Sequence, residues 1–377
     1  MHIALDARMM GAGNTRGIGR YIQESIQAAL EVDHDLRYTL VVRDLVGTPF
    51  AGHPRVDHVV ADIPWYSIKE QVNMASVLEE IGADLIHVPH WNVSVRMRKP
   101  FVVTVHDVLL LRQPMSAKVS TKGFFIRTIK QMGFRLVLRR ALAKAQKVFV
   151  PTEFVANEVV ECVRVEKAKM TVTGEGVTRF PKVDSRLCST TPHLLYVGSA
   201  YPHKRLDLLI RAWEKLQDKY PGSTLLVAGE RDGFMERLVE HATRNTQHAT
   251  PGSERVKFLG RVTDAELAGL YKGATAFVFP SSYEGFGLPP LESLSLGCPV
   301  IASDIACLRE VLPKEGIVWF RDGDEHDIIR ALEQVLDDPS RAKDLVASAA
   351  EWIRVRHDWR ASAKRMVEGY RKMVERV

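Results

Sequence analysis

Cysteine is scarce in this chain: Cys162, Cys188, Cys298 and Cys307 are the four among 377 residues. Their scatter excludes a disulfide framework, and no CxxC or Cys/His spacing points to zinc. A reducing cytoplasm is the expected setting. Long apolar runs are also absent. The longest, Phe101-Val-Val-Thr-Val105 and Val108-Leu-Leu-Leu111, fall far short of the roughly 20 residues that cross a bilayer. Membrane contact is therefore expected to be peripheral. The chain opens on a strand-like run, His2-Ile-Ala-Leu-Asp6, with no charged segment leading into an apolar one, so no signal peptide is expected. Recognisable DNA- or RNA-binding motifs are missing too, and nucleic acid is not an expected partner.

One absence is local. Between Arg112 and Lys147 there are ten Lys or Arg and no Asp or Glu. Phe124, Phe125, Ile126 and Phe134 are interspersed, the composition of a basic helix able to rest on an anionic membrane surface. A solvated helix face with its aromatics in the core fits the same pattern.

The apolar and charged fractions, 46% and 26%, are those of a globular protein, and the length suits two domains. Strand-like runs alternate with helical patterns, which predicts α/β architecture with parallel sheets covered on both faces. The first series is Ile3–Leu5, Tyr38–Val42, Leu85–Val88, Phe101–Val105 and Val148–Val150. A second begins after a Pro/Ser/Thr-rich stretch, Arg179 to Pro192, which reads as a linker. It contains Leu194–Val197, Thr224–Ala228, Val256–Leu259, Ala276–Phe279 and Pro299–Ala302. The expected domains are 1–180 and 190–358, doubly wound and facing each other across a cleft, with the terminal helical stretch 359–377 returning to the first.

The chemistry concentrates in Glu284-Gly-Phe-Gly-Leu-Pro-Pro-Leu-Glu292. This segment follows the strand Ala276–Phe279 and opens a helix. Glycines allow close approach to the backbone, and a helix N-terminus offers amides to a phosphate. A carboxylate beside such a corner suits a ligand that also carries a vicinal diol. Phosphate with diols suggests a sugar nucleotide.

Together with Phe258-Leu-Gly-Arg-Val, Gly297-Cys-Pro-Val-Ile-Ala-Ser, Thr104-Val-His106-Asp107, Tyr196-Val-Gly-Ser-Ala-Tyr-Pro-His203-Lys204 and Gly17-Ile-Gly19-Arg20-Tyr21, this segment closely resembles the retaining family 4 glycosyltransferases of GT-B fold. The resemblance runs over nearly the whole chain and is strongest to the mannosyltransferase-type branch. It implies a hexosyltransferase of cell-surface polysaccharide or lipopolysaccharide assembly, taking mannose from GDP-mannose to a glycan or lipid-linked acceptor. GDP-rhamnose or UDP-glucose as donor, or a non-catalytic sugar-binding scaffold, are the alternatives. It also implies action at the cytoplasmic face of the inner membrane.

By the same resemblance, Lys204 contacts the donor diphosphate, with Arg205 as a second cation. Ser199 and Ala200 stand where related enzymes often carry an arginine. Glu284 lies near the transferred sugar or its phosphate, Glu292 holds the ribose hydroxyls, and Gly285, Phe286, Gly287 and Leu288 present backbone to the donor. His106 hydrogen-bonds the donor sugar, and Lys204, Glu284 and His106 form the catalytic set. Asp107 orients that imidazole or meets the acceptor. Gly17 and Gly19 offer amides to the donor phosphate. The loop 8–16 shapes the acceptor site with Trp65, Tyr66, His90 and Trp91, whose rings stack on sugars or belong to the core. Asp322-Gly-Asp324 has a metal-site spacing, but it precedes a helical stretch, so Asp324 reads as its N-cap. No metal and no cofactor is expected.

Overall fold

Val, Ile, Leu and Phe fill successive positions of most strands, so both strand faces need cover, and parallel sheets layered with helices supply it. A computed structural model describes residues 1–11, 17–113, 124–180, 192–245 and 255–375, without the side chains of 124–131, 243–245 and 345. Most of the expected linker (181–191), part of the loop after the first strand (12–16) and much of the basic stretch (114–123 and the side chains of 124–131) lie outside the described residues. Two compact units result, each a Rossmann-like α/β layer. Met1–Arg112, the described part of Ser120–Gly176 and the chain from His357 form the first; the described part of Val177–Arg356 forms the second.

The first unit holds β1 (His2–Asp6), β2 (Arg37–Val42), β3 (Val56–Val60), β4 (Leu85–Val88), β5 (Phe101–Thr104), β6 (Lys147–Val150) and β7 (Met170–Val172). They form one sheet in the order β3-β2-β1-β4-β5-β6-β7. The second holds β8 (His193–Val197), β9 (Thr224–Ala228), β10 (Val256–Gly260), β11 (Ala276–Phe279), β12 (Val300–Ser303) and β13 (Ile317–Phe320), ordered β10-β9-β8-β11-β12-β13. Every pairing is parallel. Strand order reverses between β1 and β4 and again between β8 and β11. Such switch points open a crevice at the strands' carboxyl ends, where ligands of this architecture bind.

Period-two alternation splits the first sheet's side chains between two cores. Ala4, Ile86 and Val103 face one, whereas Ile3, Leu5 and Val102 face the other. The second core also takes the helix Gly17–Val32 and the last helix, Trp359–Val374, through Trp359, Met366, Tyr370 and Met373. Burying each such side chain is worth roughly 1.5–3 kcal/mol, enough to seat that helix on the first sheet despite its distance in sequence. Ser362 Oγ donates to Gly174 O at 2.8 Å and Arg365 Nε to Thr173 O at 2.8 Å, which fixes its height. Gly176 is where the two segments touch: a Cβ there would lie 2.4 Å from Trp359.

The changeover between units falls at Gly176–Val177, ahead of the expected limit at 180. Thr178 and Phe180 accordingly pack in the second unit, Phe180 with its ring against Tyr271. No helix among the described residues is long and apolar enough to cross a membrane.

Candidate active site

The strands flanking the second unit's switch point bring a charged pair together. Beyond β8 the chain makes a tight turn, Pro202–Lys204; beyond β11 it enters the glycine loop. The two loops are joined through His203 O, which accepts from Ser282 N–H at 2.8 Å and from the Ser282 hydroxyl at 3.2 Å. Lys204 Nζ then meets Glu284 Oε1 at 2.6 Å, over the face of Phe279. Their side chains remain 21% and 12% exposed. An ammonium has three donors, so one carboxylate does not exhaust Lys204, and solvent access leaves room for an anion.

Gly287 sits at φ +97°, and a Cβ on it would approach Leu308 to 2.8 Å. Both constraints call for glycine. It caps the helix Leu288–Ser295, whose second and third residues are Pro289 and Pro290. Those prolines lack N–H groups, so the helix start offers the amides of Gly287 and Leu288. Glu284 does not cap this helix; its carboxylate is turned to Lys204. Gly285 and Phe286 span the gap, with Cys307 Sγ donating to Phe286 O at 3.7 Å.

Glu292, one helical turn further, is 4% exposed. Its Oε1 accepts the Thr178 hydroxyl, and its Oε2 that of Tyr271 at 3.4 Å. Arg205, by contrast, does not join Lys204. Its backbone is left-handed (φ 48°), and its guanidinium reaches Asp322 at 3.4 Å. Asp324 accepts the N–H groups of His326 and Asp327 at 3.0 and 3.1 Å as the N-cap of the helix Glu325–Asp337. The Asp-x-Asp pair is thus divided between an ion pair and a cap.

In the first unit, His106 follows β5. Its Nε2 lies 3.0 Å from Pro89 O, its Nδ1 3.6 Å from Glu175 Oε1, and its ring stands edge-on to Tyr21 with centroids 4.6 Å apart. Asp107 turns elsewhere, accepting the Leu109 N–H at 2.9 Å. The carboxylate beside His106 is therefore Glu175, which sequence reasoning missed. Its signal was a lone acid between two glycines, Gly174 and Gly176.

Gly17 begins the helix Gly17–Val32 and is exposed, while Gly19 is buried. Among the aromatics, Trp91 packs edge-on against Phe134 at 4.4 Å and joins the core, whereas Tyr66 is 61% exposed. His90 Nδ1 accepts the Asn92 N–H at 3.2 Å, which places its proton on Nε2, facing the Tyr66 hydroxyl at 3.2 Å. These groups line a small pocket with Asp6, Arg8 and Glu70.

Arg8 is 1% exposed, yet every side of its guanidinium is met. Asp6 accepts twice, at 2.8 and 2.7 Å, Glu70 at 2.6 Å and Ile63 O at 2.8 Å. Burial works against the Arg8 charge, but the two carboxylates outweigh it and raise its pKa. Burial pushes the Glu70 carboxyl up, against the pull of Arg8. Deeper in the unit, His87 Nδ1 meets Tyr370 Oη at 2.6 Å and its Nε2 meets Thr104 Oγ1 at 2.8 Å. Burial first, and His106 second, push His87 down to about 3. The imidazole is neutral there.

The profile of "Glycosyltransferase Family 4" matches residues 15–179, and that of "Glycosyl transferases group 1" matches residues 181–352. O-antigen chain mannosyltransferase B of Escherichia coli is 26% identical over 295 residues, 73% of this chain and 71% of that protein. O-antigen chain mannosyltransferase RfbU of Salmonella typhimurium is 26% identical over 289 residues, 75% of this chain and 74% of its own length. Among solved structures, the sucrose-phosphate synthase of Thermosynechococcus elongatus superposes with a TM-score of 0.78 at 22% identity, covering 100% of both chains. That likeness shows the shared fold.

Proposed function

The chain belongs to glycosyltransferase family 4, and we propose that it transfers mannose from GDP-mannose, with retention, to a glycan or lipid-linked saccharide during cell-surface polysaccharide assembly. The observation that carries the reading is the Lys204–Glu284 pair, 2.6 Å apart and partly open, beside the start of the helix Leu288–Ser295. A cation and amides at one corner suit a diphosphate, and the adjoining carboxylate suits sugar hydroxyls. The mannosyl assignment takes its support from the O-antigen mannosyltransferase relatives.

In this reading the bond from the sugar's C1 to the diphosphate oxygen breaks as the acceptor oxygen bonds to C1 on the same face. The acceptor proton passes to the leaving phosphate. Lys204 and the Gly287 and Leu288 amides offset the charge that grows on that oxygen, without a divalent ion. Glu292 holds the ribose hydroxyls. His106 serves the transferred sugar, and the Tyr66 side of the first unit's pocket receives the acceptor.

The described face of the helix Phe124–Lys144 exposes Met132 and Leu136 beside Arg135, Arg139 and Arg140. We assign it peripheral contact with anionic lipid at the cytoplasmic face of the membrane. Co-sedimentation with phosphatidylglycerol vesicles tests this, and binding indifferent to salt and lipid charge argues against it.

The donor is tested by thermal shift and transfer assays with GDP-mannose, GDP-rhamnose and UDP-glucose, each with and without EDTA. Stabilisation and turnover selective for GDP-mannose and unaffected by EDTA are expected. Selectivity for another sugar nucleotide overturns the donor assignment. Loss of turnover with EDTA overturns metal independence, and binding without any transfer favours a scaffold.

A further inference from the structure

We propose that the basic helix Phe124–Lys144 carries a discrete site for one anionic lipid, its phosphate held by Arg135 and Arg139 and the first part of its hydrocarbon seated in the cavity beside them. This rests on the reading of that helix as a membrane contact and narrows it from a charged face to one place. The cavity measures about 270 Å³ and is lined by Leu111, Arg135, Leu138, Arg139, Cys162 and Val163. All six belong to the first unit.

Two cations and no acid form this lining. Arg135 and Arg139 are exposed and stand four residues apart on one helix, a spacing that lets two guanidinium groups converge on one phosphate. Among the described residues, neither has a hydrogen-bond or ion-pair partner. Their neighbours on the same helix are engaged: Arg140 Nε donates to Val95 O at 3.3 Å and Lys144 Nζ to Met97 O at 3.0 Å. The acids on the helix that brings Cys162 are engaged as well. Glu158 accepts twice from Arg112, at 2.7 and 2.6 Å, and Glu161 accepts from the same guanidinium. Burial pushes the Cys162 thiol up, so it adds no charge.

The surroundings favour a lipid over a soluble anion. Leu111, Leu138 and Val163 give the cavity an apolar floor, which free phosphate would leave uncovered. Its volume falls below the roughly 300–1,000 Å³ of sites that enclose a small ligand, which suits a molecule whose remainder stays outside. Met132 and Leu136, 65% and 64% exposed, form the adjoining row on the helix. An apolar row beside a cationic one seats a helix at the boundary between headgroups and acyl chains. The helix Glu153–Val163 ends at the cavity, and a helix C-terminus carries partial negative charge. That end disfavours phosphate and tolerates hydrocarbon. The lipid is thereby oriented, phosphate at the arginine rim and chain over Cys162 and Val163.

Vesicle co-sedimentation of the full chain compares two variants of equal charge, Arg135→Gln/Arg139→Gln at the cavity and Arg140→Gln/Lys144→Gln elsewhere on the helix. Binding to phosphatidylglycerol vesicles is expected to weaken roughly 30-fold in the first and about threefold or less in the second. Equal losses overturn the discrete site and leave the peripheral contact standing; absence of salt-sensitive binding by the unaltered protein overturns both. Cys162 supplies a second readout in a Cys188→Ser background, because Cys298 and Cys307 are buried. Its alkylation should slow with phosphatidylglycerol vesicles but not with phosphatidylcholine vesicles, and the Arg135/Arg139 variant should lose that protection. Equal protection by inorganic phosphate alone assigns the cavity to a soluble anion and overturns the lipid. An unchanged urea midpoint in the Arg135/Arg139 variant, expected of exposed and unpartnered side chains, separates lost binding from lost folding.

Discussion

The two units share one strand order over six strands, β7 being added in the first, and use their switch points differently. At β8/β11 a lysine and a glutamate from the two flanking loops meet at 2.6 Å and stay partly open. At β1/β4 the charged groups are sealed: Arg8 is 1% exposed and bonded to Asp6, Glu70 and Ile63 O. Desolvating an ion pair costs several kcal/mol, so a buried cation persists only when its donors are matched. The first arrangement has donors left for a ligand, and the second spends its own on the fold. The difference teaches that chemistry here is read from unsatisfied capacity, not from the number of charges.

The sharpest way to break this comparison is Lys204→Ala. It is expected to lower donor kcat/KM by roughly 10²–10³-fold while leaving the urea midpoint nearly unchanged. A lowered urea midpoint with retained activity would make the open pair structural after all. Arg8→Met should do the reverse. Stranding Asp6 and Glu70 without a buried partner costs about 3–5 kcal/mol in chemical denaturation.

Gly287→Ala tests whether backbone freedom at the open site is essential. Its positive φ and the Leu308 contact predict about 1–3 kcal/mol of strain, with donor affinity falling alongside. The sealed polar interior should also show in acid. The folded His87 pKa, about 3, lies below its ordinary 6.5. The unfolded chain therefore binds the proton first, and stability is complete above pH ~6.5 and declines as pH falls toward ~3, by about 1.4 kcal/mol per pH unit. His87→Gln should flatten that slope in denaturation measured across pH. Asp324→Ala, the smallest effect, should cost about 1 kcal/mol of stability and leave transfer untouched, since this carboxylate is occupied as a cap.

Much of the fold was legible. Most central strands, β1, β4, β5, β8, β11 and β12 among them, stood out as apolar runs, because burial on both faces leaves a local signature. Those overlooked, Val56–Val60, Met170–Val172 and Ile317–Phe320, are all at sheet edges. An edge strand pairs on one side only, and in Val56-Asp-His-Val-Val60 two adjacent polar residues interrupt the apolar run. The Asp324 cap and the glycine loop were equally readable, each being a constraint contained within a few residues.

The partners were not. Nothing near Arg205 in sequence points to Asp322, and nothing near His106 points to Glu175. Thr178 and Tyr271 on Glu292, or Tyr370 on His87, are likewise pairings across many intervening residues.

By itself, the sequence determined the alternation of strands and helices, the caps, the glycine positions and the family motifs, because hydrophobic period and backbone preference act between near neighbours. The tertiary structure alone decided which charge faces which. Strand order and helix return set those encounters, and in a dry interior the partner a group meets determines whether it is sealed into the fold or left with capacity for a ligand.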